Sequence, residues 1–110
     1  MAEAAKGGHH WHSISYYSPK NGATTCSGEP YRRNRKTAAA SPIFRLGSVL
    51  RVSWRGRSVR VVVNDCTPQA HGPHASFDLS YKAAKQLRML KEGRIYPKDA
   101  KVEVVGHTRL

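Results

Sequence analysis

The stretch that decides the fold is residues 58–80, SVRVVVNDCTPQAHGPHASFDLS. A β-branched run at Val61–Val63 ends at Asp65, as a buried strand does where it meets a loop. A loop rich in proline, glycine and histidine follows, and a second segment then delivers Asp78 just before a helix cap at Ser80. The pattern therefore predicts two carboxylates at strand ends on either side of one loop, where a β scaffold can hold an acid beside an open groove.

Short strands and one short helix are predicted on either side of this stretch. Period-two alternation or a β-branched run predicts the strands, which cover residues 11–17, 46–54, 59–64 and 101–106. Apolar residues at helical spacing predict a helix over 81–91, and residues 37–40 fit either a short strand or a helical turn. The predicted elements indicate an all-β domain with one short helix. We expect residues 101–106 to close the sheet, because closing short strands into a barrel removes exposed edges.

Length and composition indicate one domain at 11–110 after a disordered tail at 1–10. The tail histidines, His9 and His10, could bind a metal ion together with His12, but a flexible or tag-like segment is the simpler interpretation. No apolar stretch approaches the ~18 residues of a membrane span, and the first ten residues lack the apolar part of a signal peptide. We therefore expect a leader that has been removed, or another route out of the cell such as host lysis.

The chain is strongly basic. Nineteen lysines and arginines against seven acidic residues give a formal net charge of +12, far from that of a small neutral enzyme. Such a field attracts polyanions, which include nucleic acid, acidic lipid surfaces and anionic cell-wall polymer. Only residues 32–36 form a dense basic run, and no helix-turn-helix, RNP-like aromatic motif or zinc finger accompanies it. The sequence therefore does not favour nucleic acid as the partner.

Two cysteines, Cys26 and Cys66, lie in separate polar loops. They fit two free thiols in a reducing compartment or one disulfide in an oxidising compartment, and we expect the disulfide. The bond would close a loop of about 40 residues and contribute roughly 4 kcal/mol in the chain-entropy model. This is a large share of the stability of a domain with a small core.

Short segments of the chain, taken in order, resemble the rare lipoprotein A family. They keep the order of that family's motifs and comprise YYS at 16–18, SGEPY at 27–31, TAA at 37–39, GSVLRV at 47–52, GRSVRVVVND at 56–65 and DLS at 78–80. The resemblance covers nearly the whole predicted domain. It implies a six-stranded double-psi β-barrel and lytic transglycosylase activity toward the glycan strands of peptidoglycan.

The resemblance also implies site residues. Better-studied members use a glutamate, an aspartate three residues later, a histidine after Thr-Ala-Ala and the aspartate of Asn-Asp. The glutamate and the last aspartate correspond to Glu29 and Asp65, whereas Arg32 and Ala40 occupy the other two positions. The chain also resembles the first domain of expansins and the barwin proteins. Expansins and the murein transglycosylase A group centre on the aspartate before Leu-Ser, which corresponds to Asp78.

By this comparison Asp78 is the expected acid and base. A lytic transglycosylase protonates the glycosidic oxygen and then lets the sugar's own 6-hydroxyl attack, so one carboxyl suffices without a protein nucleophile. Asp65 would be a coupled partner that shares a proton or an orienter, and Glu29 a groove-edge residue or second acid. The purely structural alternatives are a helix-entry residue for Asp78, an Asx-turn for Asp65 and a solvated loop carboxylate for Glu29.

Four more side chains are candidates for contacts with a sugar substrate, namely Tyr17, Tyr31, His71 and His74. The tyrosines lie beside turns and could stack on sugar rings, and the histidines lie between the two aspartates. Together with Cys66 the histidines match no zinc spacing, so we expect no metal site and no cofactor. In the barrel, the loops that carry Cys26 and Cys66 would face each other across the groove, where a disulfide would rigidify the site.

These observations lead to one main hypothesis and two alternatives. The main hypothesis is a small lytic transglycosylase of bacterial or phage origin that acts on peptidoglycan or another anionic wall glycan. We expect it in the cell envelope, secreted, or associated with a virion, and as a monomer unless it is part of a virion. The first alternative is a catalytically silent glycan-binding or virion structural module that kept the barrel and lost the histidine. The second is a nucleic-acid binder, which rests on the charge alone.

Overall fold

The computed structural model describes residues 11–110, and the predicted tail at 1–10, with His9 and His10, lies outside the described residues. The described elements follow in the order β1 (Ser13–Tyr17), β2 (Thr37–Ser41), β3 (Ser48–Trp54), β4 (Arg57–Cys66), β5 (Ser76–Ser80), α1 (Tyr81–Leu87) and β6 (Ala100–His107). Residues 37–40, which fitted two conformations, thus form a strand. No helix within the described part of the chain has the length and apolar character needed to cross a bilayer.

The six strands form one sheet in the order β1-β5-β2-β4-β3-β6. β1 pairs with β5 and β2 with β4 in parallel, and the other neighbouring strands are antiparallel. The expectation that residues 101–106 close the sheet is wrong, because β6 is an end strand that pairs with β3. The other edge of β1 is bridged instead by Ile95, opposite Ile14. The strands that carry the predicted acids, β4 and β5, therefore lie on either side of β2.

The core follows the predicted alternation. Leu50 and Val52 of β3 and Val61 and Val63 of β4 are at most 1% exposed. Each such side chain contributes about 1.5–3 kcal/mol by its burial. Val62, between the two buried valines, is half-buried, so one face of this strand is sealed and the other is partly covered.

Helix α1 begins at the predicted cap but ends at Leu87 rather than at residue 91. The Ser80 side chain accepts a hydrogen bond from the Ala83 N–H, which satisfies one free donor of the first turn. At the other end Arg88 adopts a left-handed φ of 61°. Its N–H donates to the Lys85 carbonyl and the Met89 N–H donates to the Ala84 carbonyl, as in a Schellman motif. The early stop turns Met89 into the core, where it is fully buried.

Candidate active site

Two of the predicted acids lie in one row across the sheet. Ala39 of β2 pairs with Asp78 of β5 on one side and with Asp65 of β4 on the other. A register shift after Ala38 leaves Asn64 as an extra residue, so Asp65 rather than Asn64 stands opposite Ala39. Residues opposite one another in neighbouring strands share a face of the sheet. Both carboxylates therefore project from the same face, with Cα atoms two strand spacings, about 10 Å, apart.

Asp78 is half-buried and receives a hydrogen bond from a serine of the neighbouring strand. It lies opposite Ser15 of β1, whose hydroxyl donates to Asp78 Oδ1. Phe77 and Leu79, on either side of it in β5, are fully buried in the core, so the strand fixes the direction of the carboxylate. Within residues 11–110 no protein donor contacts the second oxygen, Oδ2. Among the described residues, the carboxylate is thus held through one oxygen.

Asp65 has a different set of partners. Its Oδ1 accepts the N–H groups of Cys26 and Cys66, each at 2.9 Å, and its Oδ2 accepts the Tyr17 hydroxyl at 2.8 Å. Both oxygens are therefore engaged by the protein itself. Because these donors come from β1, from a long loop and from the end of β4, Asp65 joins three parts of the chain.

Tyr17 is hydrogen-bonded to Asp65 and senses the charge of Asp78. It lies two residues after Ser15 on the same face of β1, and its hydroxyl donates to Asp65. Burial raises the pKa of Tyr17 far above its ordinary value of 10.0, and the hydrogen bond to Asp65 and the negative charges of Asp65 and Asp78 raise it further. Tyr17 is thus within electrostatic reach of both carboxylates and keeps its proton at neutral pH.

Replacing Tyr17 with phenylalanine is expected to weaken the alkaline destabilisation of the protein. Above the ordinary tyrosine pKa of 10.0 the unfolded chain releases the phenol proton, whereas the folded protein retains it. A group whose pKa is raised by folding stabilises the folded state fully below that pH and loses this contribution as the pH rises. Urea unfolding between about pH 9 and pH 11 should therefore show a shallower loss of stability for Tyr17→Phe than for the wild type.

The control for this measurement is Tyr96→Phe, because the Tyr96 side chain is 40% exposed. The control should follow the wild-type pH dependence. If Tyr17→Phe also follows it, the folded protein does not hold the Tyr17 proton as inferred.

Glu29 lies on the loop that the predicted disulfide ties to the end of β4. The Cys26–Cys66 bond is confirmed, and it joins Cα atoms 5.8 Å apart. Glu29 Oε1 accepts a hydrogen bond from Asn64 Nδ2 at 3.2 Å and lies 3.7 Å from Arg35 Nη1. The Glu29 side chain is 26% exposed, so this carboxylate sits at the rim of the acid-bearing face.

Tyr31 cannot stack on a substrate as predicted, because it is fully buried. Its hydroxyl donates to the Tyr17 carbonyl at 3.4 Å and accepts the Tyr81 N–H at 3.3 Å. Its ring meets the Tyr17 ring edge-on, with centroids 5.4 Å apart. Tyr31 therefore supports Tyr17 from beneath, and the turn signal beside it gave no information on its burial.

His71 and His74 are both exposed in the loop between β4 and β5. The His74 ring packs edge-on against His12, with centroids 4.8 Å apart, and His12 packs against Tyr96 at 5.8 Å. These rings form a small aromatic cluster at the start of β1. The described residues contain no group of three or more histidine, cysteine, aspartate or glutamate side chains that could hold a metal ion.

The two positions that depart from the resembled family differ in burial. Ala40 is fully buried and belongs to the core together with Ala38, whereas Ala39, between them, lies in the row of acids. Arg32 is exposed in the loop that precedes β2. Alanine has no group that can transfer a proton and a guanidinium has no acceptor oxygen, so neither residue reproduces the group that the family pattern has at its position.

The alternation predicted over residues 11–17 puts Ser13 and Ser15 on one face of β1, but neither serine was among the predicted site residues. Ser15 donates to Asp78, and Ser13 accepts a hydrogen bond from Arg94 Nη1 at 2.6 Å. The available signal was the serine at two alternate positions of a predicted strand, because polar side chains repeated on one face indicate hydrogen-bonding partners there. No local pattern indicated Arg94, because the residues that it contacts belong to β1, at the other end of the chain.

Comparison with known proteins identifies relatives of this chain. The lytic transglycolase family model matches residues 11–97. The probable endolytic peptidoglycan transglycosylase RlpA of Aquifex aeolicus is 38% identical over 96 residues, which make up 84% of this chain and 41% of that protein. The chain thus spans less than half of that relative's length.

Solved structures share the fold. The Streptomyces papain inhibitor gives a TM-score of 0.64 at 23% identity, covering 84% of this chain and 90% of its own. The expansin of Clavibacter michiganensis, in its ligand-free form, gives 0.65 at 26% identity, covering 90% of this chain and 51% of its own. Together with the family model, these structures confirm the predicted six-stranded double-psi β-barrel fold with one short helix, although the strand pairing leaves β1 and β6 as the two ends of the sheet.

Proposed function

Because this chain belongs to the lytic transglycolase family, we propose that it cleaves the glycan strands of peptidoglycan with Asp78 as both acid and base. Asp78 donates its proton to the glycosidic oxygen as the bond from that oxygen to C1 breaks. The same carboxylate then takes the proton of the sugar's 6-hydroxyl as that oxygen bonds to C1. The products are one strand with a free hydroxyl and one strand that ends in a 1,6-anhydro sugar, and no water is consumed.

The observation that carries this proposal is the setting of Asp78. The carboxylate is half-buried on a rigid strand, and Ser15 fixes one of its oxygens. The second oxygen meets no protein donor among residues 11–110 and can reach a substrate. A single acid and base at a fixed position is what this reaction requires, since the nucleophile belongs to the sugar.

Asp65 is the orienter in this proposal and does not share a proton with Asp78. Its two oxygens already accept three hydrogen bonds, from Tyr17, Cys26 and Cys66. It therefore fixes the Tyr17 hydroxyl and the loop that forms one rim of the site. Tyr17 keeps its proton and is half-buried, so its ring offers a wall for a sugar near Asp78.

The charge of the protein fits an anionic wall polymer. The net charge is +12, and the dense basic run at 32–36 belongs to the loop that Cys26 ties to β4. Positive potential beside the acids would concentrate a negatively charged glycan there. Activity on peptidoglycan places the protein in the cell envelope or outside the cell.

A catalytically silent wall-binding module is the second candidate. It is favoured by Ala40 and Arg32, which replace a histidine and an aspartate of the family pattern. Incubation of the protein with purified peptidoglycan, followed by mass spectrometry of the soluble products, distinguishes the two. Anhydro-muropeptides support the enzyme, whereas binding to the wall without products supports the module.

Glu29→Gln is expected to retain most of the activity. Glu29 is partly exposed and paired with Arg35, and such pairs contribute up to about 1 kcal/mol, so the rate should fall about fivefold or less. The rate of anhydro-muropeptide release checks this. If Glu29→Gln lowers this rate as much as is expected for an Asp78 variant, Glu29 rather than Asp78 is the acid.

A further inference from the structure

We propose that Arg94 forms a carboxylate-binding subsite that positions an anionic substituent of the glycan beside Asp78. This inference rests on the proposed function, because it assigns a further substrate contact to the same face. Its starting point is the edge of β1 that no named strand covers. Ile95 and Ile14 exchange both backbone hydrogen bonds there, at 2.8 and 2.9 Å, in an antiparallel bridge.

This bridge brings Arg94 into the row of the acids. In an antiparallel pair centred on Ile14 and Ile95, the residue before Ile95 faces the residue after Ile14. Arg94 therefore faces Ser15, whose other neighbour is Asp78. Ile95 is 2% exposed and Arg94 is exposed, so the alternation directs Arg94 outward.

A buried serine holds the guanidinium. Arg94 Nη1 donates to Ser13 Oγ at 2.6 Å, and Ser13 is fully buried in the strand. A guanidinium has five N–H donors, so four stay available for a ligand. Arg35, Arg51 and Arg55 each pair with a glutamate, but no acid of residues 11–110 pairs with Arg94. Its position is fixed while its charge is not neutralised by the described residues.

The spacing suits a substituent on the sugar next to the cleaved bond. Ser13 and Ser15 are successive residues on one face of β1, about 7 Å apart. A guanidinium held at Ser13 is thus displaced from Asp78 by about this distance along the strand, which is on the scale of one sugar residue. Peptidoglycan carries carboxylates on the lactyl group of alternate sugars or on the peptide attached to it. Arginine binds such groups through two parallel hydrogen bonds.

In this proposal Arg94 binds the substrate and takes no part in proton transfer, since its described hydrogen bond goes to Ser13 and not to Asp78. Arg94→Ala should raise the KM for a carboxylate-bearing glycan about 10- to 100-fold with a smaller change in kcat, as expected for a lost charged hydrogen bond. Arg94→Lys should restore part of this, because a lysine keeps the charge but not the two-pronged geometry. The matched control is Arg60→Ala, which removes an exposed arginine from β4.

Binding to the inactive Asp78→Asn background separates this inference from the proposed function. Calorimetry would compare three probes, namely glycan strands stripped of peptides, strands whose lactyl groups carry peptides, and N-acetylglucosamine oligomers that lack carboxylates. Arg94→Ala should weaken binding of the first or the second probe about 10-fold or more and leave the third unchanged. The affected probe identifies the lactyl or the peptide carboxylate. The subsite is overturned if Arg94→Ala weakens glycan binding no more than Arg60→Ala does, or if it weakens binding of the neutral oligomers equally. This holds even if cleavage by the wild type is confirmed.

Discussion

The Asp78→Asn variant is expected to bind peptidoglycan and to release anhydro-muropeptides about 10²- to 10⁴-fold more slowly than the wild type. Asparagine cannot donate a proton to the glycosidic oxygen or accept one from the 6-hydroxyl. Its amide oxygen can still accept the Ser15 hydroxyl, and the side chain has nearly the same volume. Mass spectrometry of released products measures the rate, and co-sedimentation with insoluble wall measures binding.

The control for this experiment is Asp99→Asn, which makes the same chemical change at an exposed position just before β6. Its activity should equal that of the wild type, and thermal unfolding of both variants should lie within a few degrees of the wild type. If Asp78→Asn keeps more than a tenth of the activity while its fold is intact, the proton comes from another group and the assignment of Asp78 fails. Loss of wall binding together with activity would instead indicate that Asp78 contributes to affinity.

Much of the scaffold could be predicted because it depends on local patterns. Alternation located β3, the β-branched run located β4, and Ser80 marked the start of α1 at the correct residue. The pairing of Cys26 with Cys66 was also accessible, since two cysteines in an oxidising compartment allow one bond. Local patterns located Asp65 and Asp78 at strand ends, whereas the choice of Glu29 and the roles of the three acids came from the resemblance to the rare lipoprotein A family and to expansins.

The rest depended on contacts between segments distant in the chain. The extra residue Asn64 decides that Asp65 faces Ala39, and that register belongs to the β2–β4 pair rather than to either strand alone. Tyr31 lies in a polar loop, and it is held by ring packing against Tyr17 and by a hydrogen bond from the Tyr81 backbone N–H. Such features are set by pairing partners, which periodicity within one strand does not reveal.

The double variant Cys26→Ser, Cys66→Ser is expected to lose about 4 kcal/mol of stability, because the bond closes a loop across a sequence separation of 40 residues. For a domain of this size such a loss corresponds to a fall in Tm on the order of 20 °C. Calorimetry of the wild type and the variant, with and without reductant, measures this change in Tm. Reductant should lower the Tm of the wild type toward that of the variant and leave the variant unchanged.

The Cys26–Cys66 disulfide should also affect the KM for peptidoglycan at temperatures below the Tm. Cys26 donates its N–H to Asp65, and Asp65 in turn accepts the Tyr17 hydroxyl. Releasing the loop removes the covalent constraint that keeps the Cys26 N–H at this carboxylate, so the wall formed by Tyr17 becomes less well fixed. We therefore expect the folded serine variant, assayed well below its Tm, to show a higher KM for peptidoglycan than the wild type. A variant with reduced Tm but wild-type kinetics would mean that the disulfide stabilises the fold alone, and that Tyr17 and Asp65 hold the site without the loop.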